Sequence, residues 1–338
     1  MAVSEYFSKL FKWQDPVIVM PYGGYANDEM IHAQARVLED EGIKHSASDS
    51  ALRNLWNSFK RFESDEKKGA RVKVTWGDQE KIFISDKEGY IYLNEPLQQE
   101  FHHKTTLWIP VTFQLMEGSN IIHQITSQVM KPAPEAEFGV ISDLDDTVIQ
   151  TGVSSTLKWK LLVNSLFRHS HNRMPLEGAQ EFYKLLHKGK SGFATNPFFY
   201  LSNSPWNIHD YLCAFLKKYE FPQGPVLLRD IGISWPKRKS FMEGNKYMKV
   251  KHIIETYPST PFILIGDAAE IDADIYLKIA RTFPGQILSI YIRAVKKQSL
   301  IRRVESLIEA NTDINVVLIR EKQEAIEHAK RQGYIDKI

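Results

Sequence analysis

One cysteine in 338 residues leaves no internal disulfide to form. Cys213 lies in the apolar helical stretch IHDYLCAFL, where a packed thiol suits a reducing, cytoplasmic setting. Long hydrophobic runs are also missing. No segment reaches the ~18 uninterrupted apolar residues of a spanning helix, and the N-terminal MAVSEYFSKLFKWQDP has no charged region leading into a long apolar core. The expectation is neither signal-directed secretion nor a membrane-spanning helix. Nor does one sign of charge dominate. With 43 basic and 41 acidic side chains the net charge is +2, so no global field points to nucleic acid and any electrostatic argument has to be local.

What remains, 43% apolar and 25% charged, is the composition of a soluble globular chain long enough for two domains. Up to about residue 130 the apolar residues recur with period two. RVKVTW (71–76), KIFISD (81–86) and GYIYLN (89–94) are short β-rich runs, the last two joined by the turn residues Asp86, Lys87, Glu88 and Gly89. LWIPVTFQLM (107–116) and IIHQITSQVM (121–130) follow, split by Gly118, Ser119 and Asn120. The pattern predicts an antiparallel meander, hence an all-β, sandwich-like domain or an open barrel over 1–130. Leu52, Leu55, Trp56, Phe59 and Phe62 mark one helical face within it.

KPAPEAE (131–137), with two prolines and no apolar period, reads as a linker. Beyond it the runs FGVIS (138–142), FFYLS (198–202), PVLLR (225–229), FILIG (262–266) and QILSIYI (286–292) alternate with helical patterns such as VKHIIETY (250–257). Fully apolar strands separated by amphipathic helices predict an α/β domain over 138–338, a doubly wound parallel sheet covered on both faces.

Such a sheet binds ligands beyond the carboxyl ends of its strands, and four runs end there in reactive residue types. Asp143, Asp145, Asp146 and Thr147 follow the first, Ser202 and Asn203 the second, Arg229 and Asp230 the third, Gly266 and Asp267 the fourth. Three carboxylates within four positions repel one another unless a cation or a chemical task offsets the charge. With Asp267 and Asp272 of GDAAEID converging on them, these hard oxygen ligands suit Mg2+. A solvated acidic turn is the competing reading of DxDxT by itself.

ISDLDDTVIQTGV, FFYLSNSPWNIHDYL, FPQGPVLLRDIG and FILIGDAAEIDADIY resemble, in order, the blocks of the haloacid-dehalogenase-type phosphatase superfamily. The SPWN and GPVLLRD blocks narrow the resemblance to the actin-patch-protein type of phosphatidate phosphatase, over about residues 138–295. The resemblance implies a haloacid-dehalogenase-like fold and a phosphomonoesterase with phosphatidate as substrate. Asp143 would be the nucleophile, forming an aspartyl-phosphate, and Asp145 the acid and then the base. Mg2+ would be held by Asp143, the backbone carbonyl of Asp145 and Asp267, with Asp272 ordering that shell. Ser202 would grip phosphate oxygens, Asn203 and Arg229 are further candidates for substrate contact, and Thr147 is assigned chiefly to holding the loop. The superfamily's lysine is assigned to Lys246, one turn before Val250 on the inward face at the helix entrance, with Lys249 as second choice. The chain departs from the family block GDSGQxDPEIY at Ala268, Ala269, Glu270 and Ala273, and Glu270 adds a negative charge that bears on substrate choice.

Other features are weaker. WPKRKSFMEGNKYMKVK (235–251) reads as a solvated loop and helix entrance, the favoured account except at Lys246, or as a patch for peripheral contact with an anionic membrane. An insertion around 154–195 is expected to be a small cap. His102, His103, His169 and His171 lack metal-ligand spacing and read as surface residues, and Trp206 as packing or pocket wall. The alternatives to phosphatidate hydrolysis are a phosphatase of soluble phosphorylated metabolites and a lipid- or protein-binding scaffold without turnover.

Overall fold

The structure is a computed structural model that describes residues 16–39, 66–98, 105–144, 179–192, 196–229, 239–269 and 271–336. The helical face expected over 48–62, and most of the expected cap, lie outside these residues. The described chain is α/β, with a seven-stranded mixed sheet followed by a six-stranded parallel one.

The first sheet contains β1 (Val17–Ala26), β2 (Met30–Glu39), β3 (Arg71–Trp76), β4 (Gln79–Ile84), β5 (Tyr90–Pro96), β6 (Leu107–Glu117) and β7 (Asn120–Lys131). Its order is β4-β3-β6-β7-β1-β2-β5. All pairs are antiparallel except β1 with β7. The expected meander is corrected here, because β4 and β5 do not form a hairpin and stand at opposite edges. In place of two stacked sheets there is one sheet that curls. At one end its edges meet, with Lys81 paired to Glu95 at 2.7 Å and the Trp76 indole donating to the Pro96 carbonyl at 3.3 Å. Period-two side chains fill the inside of the curl: Val72, Val74 and Trp76 from β3, and Ile109, Val111, Phe113 and Leu115 from β6. Two ten-residue strands, β1 and β2, were not anticipated. PYGGYA in β1 breaks the alternation, and its register shifts between Pro21 and Gly24.

The second sheet contains β8 (Gly139–Asp143), β9 (Phe198–Pro205), β10 (Val226–Arg229), β11 (Phe262–Asp267), β12 (Ile287–Arg293) and β13 (Val316–Ile319), ordered β10-β9-β8-β11-β12-β13. All its pairs are parallel. The apolar runs follow from burial on two faces. Val140, Tyr200, Ile263 and Ile265 pack against α1 (Ala179–Lys188), α2 (His209–Lys218) and α6 (Lys322–Gln332). Ile141, Phe199, Leu201 and Leu264 pack against α3 (Lys239–Thr256), α4 (Asp272–Thr282) and α5 (Gln298–Ala310). Winding reverses between β8 and β11, and an open α/β sheet forms its ligand crevice where winding reverses.

The two sheets touch through aromatic residues. Tyr22 stacks on Trp206 at 4.3 Å between ring centres, the Tyr257 hydroxyl donates to the Ala26 carbonyl at 2.9 Å, and the Tyr25 hydroxyl meets His252 Nδ1 at 2.6 Å. The segment between β7 and β8 turns through an Ala136 to Ala133 backbone hydrogen bond and is tied down by Asn196, whose side-chain oxygen accepts from the Glu137 N–H at 2.9 Å.

Candidate active site

Asp143 is the last residue of β8 and Asp267 the last of β11, so the backbone delivers both carboxylates to the crevice at the point of reversal. Asp272 opens α4, five residues on, and its Oδ2 accepts the Asp267 N–H at 3.1 Å. Gly266 makes that approach possible. A Cβ there would stand 2.7 Å from Asp272 Cβ and 2.8 Å from its Cγ, closer than side chains tolerate. The Asp267 carboxylate is aimed in turn by the Ala269 N–H, which donates to Oδ1 at 2.7 Å.

Lys246 enters from α3. It shares the buried face of Val250, Ile253 and Ile254, and its ammonium lies 2.7 Å from Asp143 Oδ1 and in contact with Asp272 Oδ1. Lys246 and both partners have side-chain exposures of 2% or less, so the pairing is almost fully desolvated. The residue is not at the helix entrance, as expected from sequence, because α3 begins at Lys239, two turns earlier. Lys249 reaches a different target, the Leu228 carbonyl near the end of β10.

Oxygens of Asp143, Asp267 and Asp272 lie within 4.8 Å of one another. Arg293, at the end of β12, brings its guanidinium to 3.8 Å from Asp267 Oδ2. Three buried carboxylates against these two cations leave one net negative charge, and an all-oxygen donor set of that charge fits a divalent hard cation such as Mg2+.

The remaining expected residues are placed as follows. Ser202 lies on β9, one position beyond the residue paired with Asp143, and its hydroxyl accepts the Ser204 N–H at 2.9 Å. Asn203 follows it, partly buried. Arg229 ends β10, two strands from β8. Asp145, Thr147 and Glu270 lie outside the described residues.

Sequence reasoning missed Arg293 and Tyr183. A cavity of about 140 Å³ opens beside the carboxylates, with Asp143, Asp267, Tyr183, Arg293, Arg320 and Lys322 in its wall. The Tyr183 hydroxyl lies 2.6 Å from Ser142 Oγ. Burial pushes the phenol up to about 12, opposed by the Ser142 hydrogen bond and by Arg293, so Tyr183 stays neutral at ordinary pH. The arginine ending QILSIYIR was a legible signal of the same kind as the aspartates ending the other runs. Tyr183 carried none.

Residues 138–294 match the sequence profile of the family described as phosphatidate phosphatase APP1, catalytic domain. That segment is similar to the APP1 catalytic-domain family. The APP1-type segment holds every residue of the carboxylate and lysine cluster, and Arg293 as well. The chain is 34% identical over 161 residues to phosphatidate phosphatase APP1 of Saccharomyces cerevisiae, covering 46% of this chain and 26% of that protein. It is 27% identical over 212 residues to the Schizosaccharomyces pombe protein C29B5.04c, covering 62% of this chain and 33% of that one. The chain therefore spans about a third or less of the length of these curated relatives. Among solved structures, a carbohydrate acetylesterase from Xanthomonas citri aligns over 93% of this chain and 75% of its own, with 9% identity and a TM-score of 0.32, too low for inference.

Proposed function

We propose that the chain is a Mg2+-dependent phosphatidate phosphatase working through an aspartyl-phosphate on Asp143, on a haloacid-dehalogenase-like sheet that begins near residue 138. The observation that carries this reading is the buried Lys246 ammonium held between Asp143 and Asp272, beside Asp267, at the reversal of a doubly wound sheet. The APP1-type segment supplies the substrate class.

In the first half-reaction an Asp143 carboxylate oxygen attacks phosphorus in line. The bond from phosphorus to the glycerol oxygen breaks, and Asp145 gives its proton to the departing alkoxide. In the second, water attacks the acyl phosphate, Asp145 takes a proton from that water, and inorganic phosphate leaves with the Asp143 carboxylate restored. Lys246 keeps the nucleophile oriented and offsets repulsion between a carboxylate and an anionic substrate. Arg293, on the cavity side, would offset the charge of Asp267 or of phosphate oxygens, and Ser202 and Asn203, which follow the β9 residue paired with Asp143, would contact phosphate. Mg2+, held by Asp143, Asp267 and the Asp145 carbonyl with Asp272 behind them, would neutralise phosphate charge and align it with Asp143. The curled sheet before residue 131 would serve targeting or substrate presentation.

The test is phosphate release by the full chain from phosphatidate in detergent micelles, with and without Mg2+, against a panel of soluble phosphate monoesters. Mg2+-dependent release that favours phosphatidate in kcat/KM, and is lost in Asp143→Asn, is expected. Preference for a soluble ester would move the substrate assignment, and no release from any substrate would end the enzymatic reading.

A further inference from the structure

β8 is buried on both faces, yet it carries a hydroxyl one residue before Asp143. Ser142 is 0% exposed, directly after the apolar FGVI, and a buried hydroxyl costs free energy unless it is hydrogen-bonded. Strand alternation sends it to a different side from its neighbour. Asp143 shares the face of Ile141 and meets Lys246 of α3, whereas Ser142 shares the face of Val140 and meets Tyr183 of α1. Ser142 Oγ donates to the Asp143 backbone carbonyl at 3.1 Å and lies 2.6 Å from the Tyr183 hydroxyl. A serine hydroxyl has one proton and a carbonyl none to give, so the proton on Ser142 goes to Asp143 and the phenol supplies the one between the two hydroxyls. The chain of bonds therefore runs from Tyr183 O–H to Ser142 Oγ, and from Ser142 O–H to the Asp143 carbonyl.

That carbonyl belongs to the peptide between Asp143 and Leu144, whose N–H donates to the Leu201 carbonyl of β9 at 2.8 Å. Both ends of the peptide that follows the carboxylate are thus tied, just where β8 ends. The donor is held as firmly as the acceptor. Tyr183 is 9% exposed, with its ring centre 5.4 Å from that of Phe198 and edge-on to Phe221 at 5.3 Å. A phenylalanine would fill that aromatic cage equally well, so packing by itself gives no reason for the hydroxyl; its bond to Ser142 does. Two hydroxyls in series in a desolvated site polarise each other and strengthen both bonds. In-line attack needs the Asp143 carboxylate aimed at phosphorus, and a misplacement of ~1 Å costs about a hundredfold in rate.

We propose that Tyr183 is a positioning residue for Asp143, acting through Ser142 to fix the peptide from which the carboxylate is aimed. Its effect on turnover rests on the aspartyl-phosphate reading; its hold on the peptide between Asp143 and Leu144 does not. The test uses Tyr183→Phe, Ser142→Ala and the double variant of the full chain. Without substrate, amide hydrogen exchange at Leu144 should quicken about fivefold or more in each, while the Val140 amide, bonded to the Pro197 carbonyl earlier on the same strand, exchanges as in wild type. With phosphatidate and Mg2+, kcat should fall about tenfold in Tyr183→Phe at a KM within about twofold of wild type. Ser142→Ala should cost at least as much, and the double variant no more than Ser142→Ala, because Tyr183 acts through that hydroxyl. A purely structural tyrosine would lower the melting temperature and quicken exchange along all of β8 with kcat unmoved, and that result would overturn the proposal. So would unchanged Leu144 exchange in the folded variants, or kcat losses that simply add. If Tyr183→Phe does not fold, Ser142→Ala, which deletes a single oxygen, decides by the same exchange and kcat. Wild type without turnover would end the phosphatase reading and leave Leu144 exchange to decide the hold.

Discussion

Replacing Lys246 with methionine removes one charge from the carboxylate cluster and keeps most of the side-chain volume. Asp143 and Asp272, 2% and 0% exposed, lose their shared cation, and Arg293 is left as the one nearby positive group named in the cluster. Breaking a buried ion pair by removing one partner costs about 3–5 kcal/mol. At roughly 2–4 °C per kcal/mol for a chain of this class, the apparent melting temperature should fall by roughly 6–20 °C in EDTA. A divalent ion would bring the variant's cluster from two net negative charges to none, so the deficit should shrink in excess Mg2+. Adding Asp143→Asn to Lys246→Met should recover much of the loss in EDTA, because the pair then leaves together. The assay is thermal unfolding followed by circular dichroism in EDTA and in Mg2+. Activity should fall about a hundredfold or more in Lys246→Met, and at least about tenfold less in Lys249→Ala, whose ammonium serves the Leu228 carbonyl. A variant as stable as wild type in EDTA would refute the charge balance drawn for the site.

Asp143→Asn should abolish phosphate release while leaving the melting temperature level or slightly higher in EDTA, since it removes the nucleophile and the cluster's excess charge together; retained turnover would exclude the covalent route. Gly266→Ala should destabilise the protein and weaken Mg2+ binding measured by calorimetry, because the new Cβ displaces Asp272; unchanged affinity would show that Asp272 does not need that approach. Stability should also decline on acidification through the contact between the sheets. Burial lowers the pKa of His32 and His252 below 6.5, and for His252 the facing His32 adds to this while Glu255 opposes it. The unfolded chain then binds more protons, so stability is constant above that value and lost as pH falls below it toward the folded pKa values. Both rings are partly exposed, so each should give only a fraction of the ~1.4 kcal/mol per pH unit of a full proton. Urea midpoints for wild type and His252→Gln should converge as pH falls through this window, and parallel curves would refute the assignment.

The local pattern of residues determined most of the second sheet. Five of its six strands were legible because a strand buried on both faces must be apolar throughout, and four of those runs stop at residues with chemistry. β13, Val316–Ile319, was missed because all its residues but Ile319 are only partly buried at the edge and its run is short. The carboxyl-end rule gathered Asp143, Asp267 and Asp272 at one edge of the sheet and the family blocks added Lys246, but chain order by itself does not say which strands adjoin. The tertiary structure decided it by placing β11 beside β8 and turning the third turn of α3 onto the same crevice. The first sheet shows the opposite balance. Period two identified its later strands, because alternation follows from one wet face and one dry one. It could not order them, because register and neighbour choice depend on long-range pairing energies that no local window contains. For that reason the expected hairpin between β4 and β5 gave way to two edges that meet by curling, and the same pairing set Ile84 and Ile121, far apart in sequence, in one row across four strands.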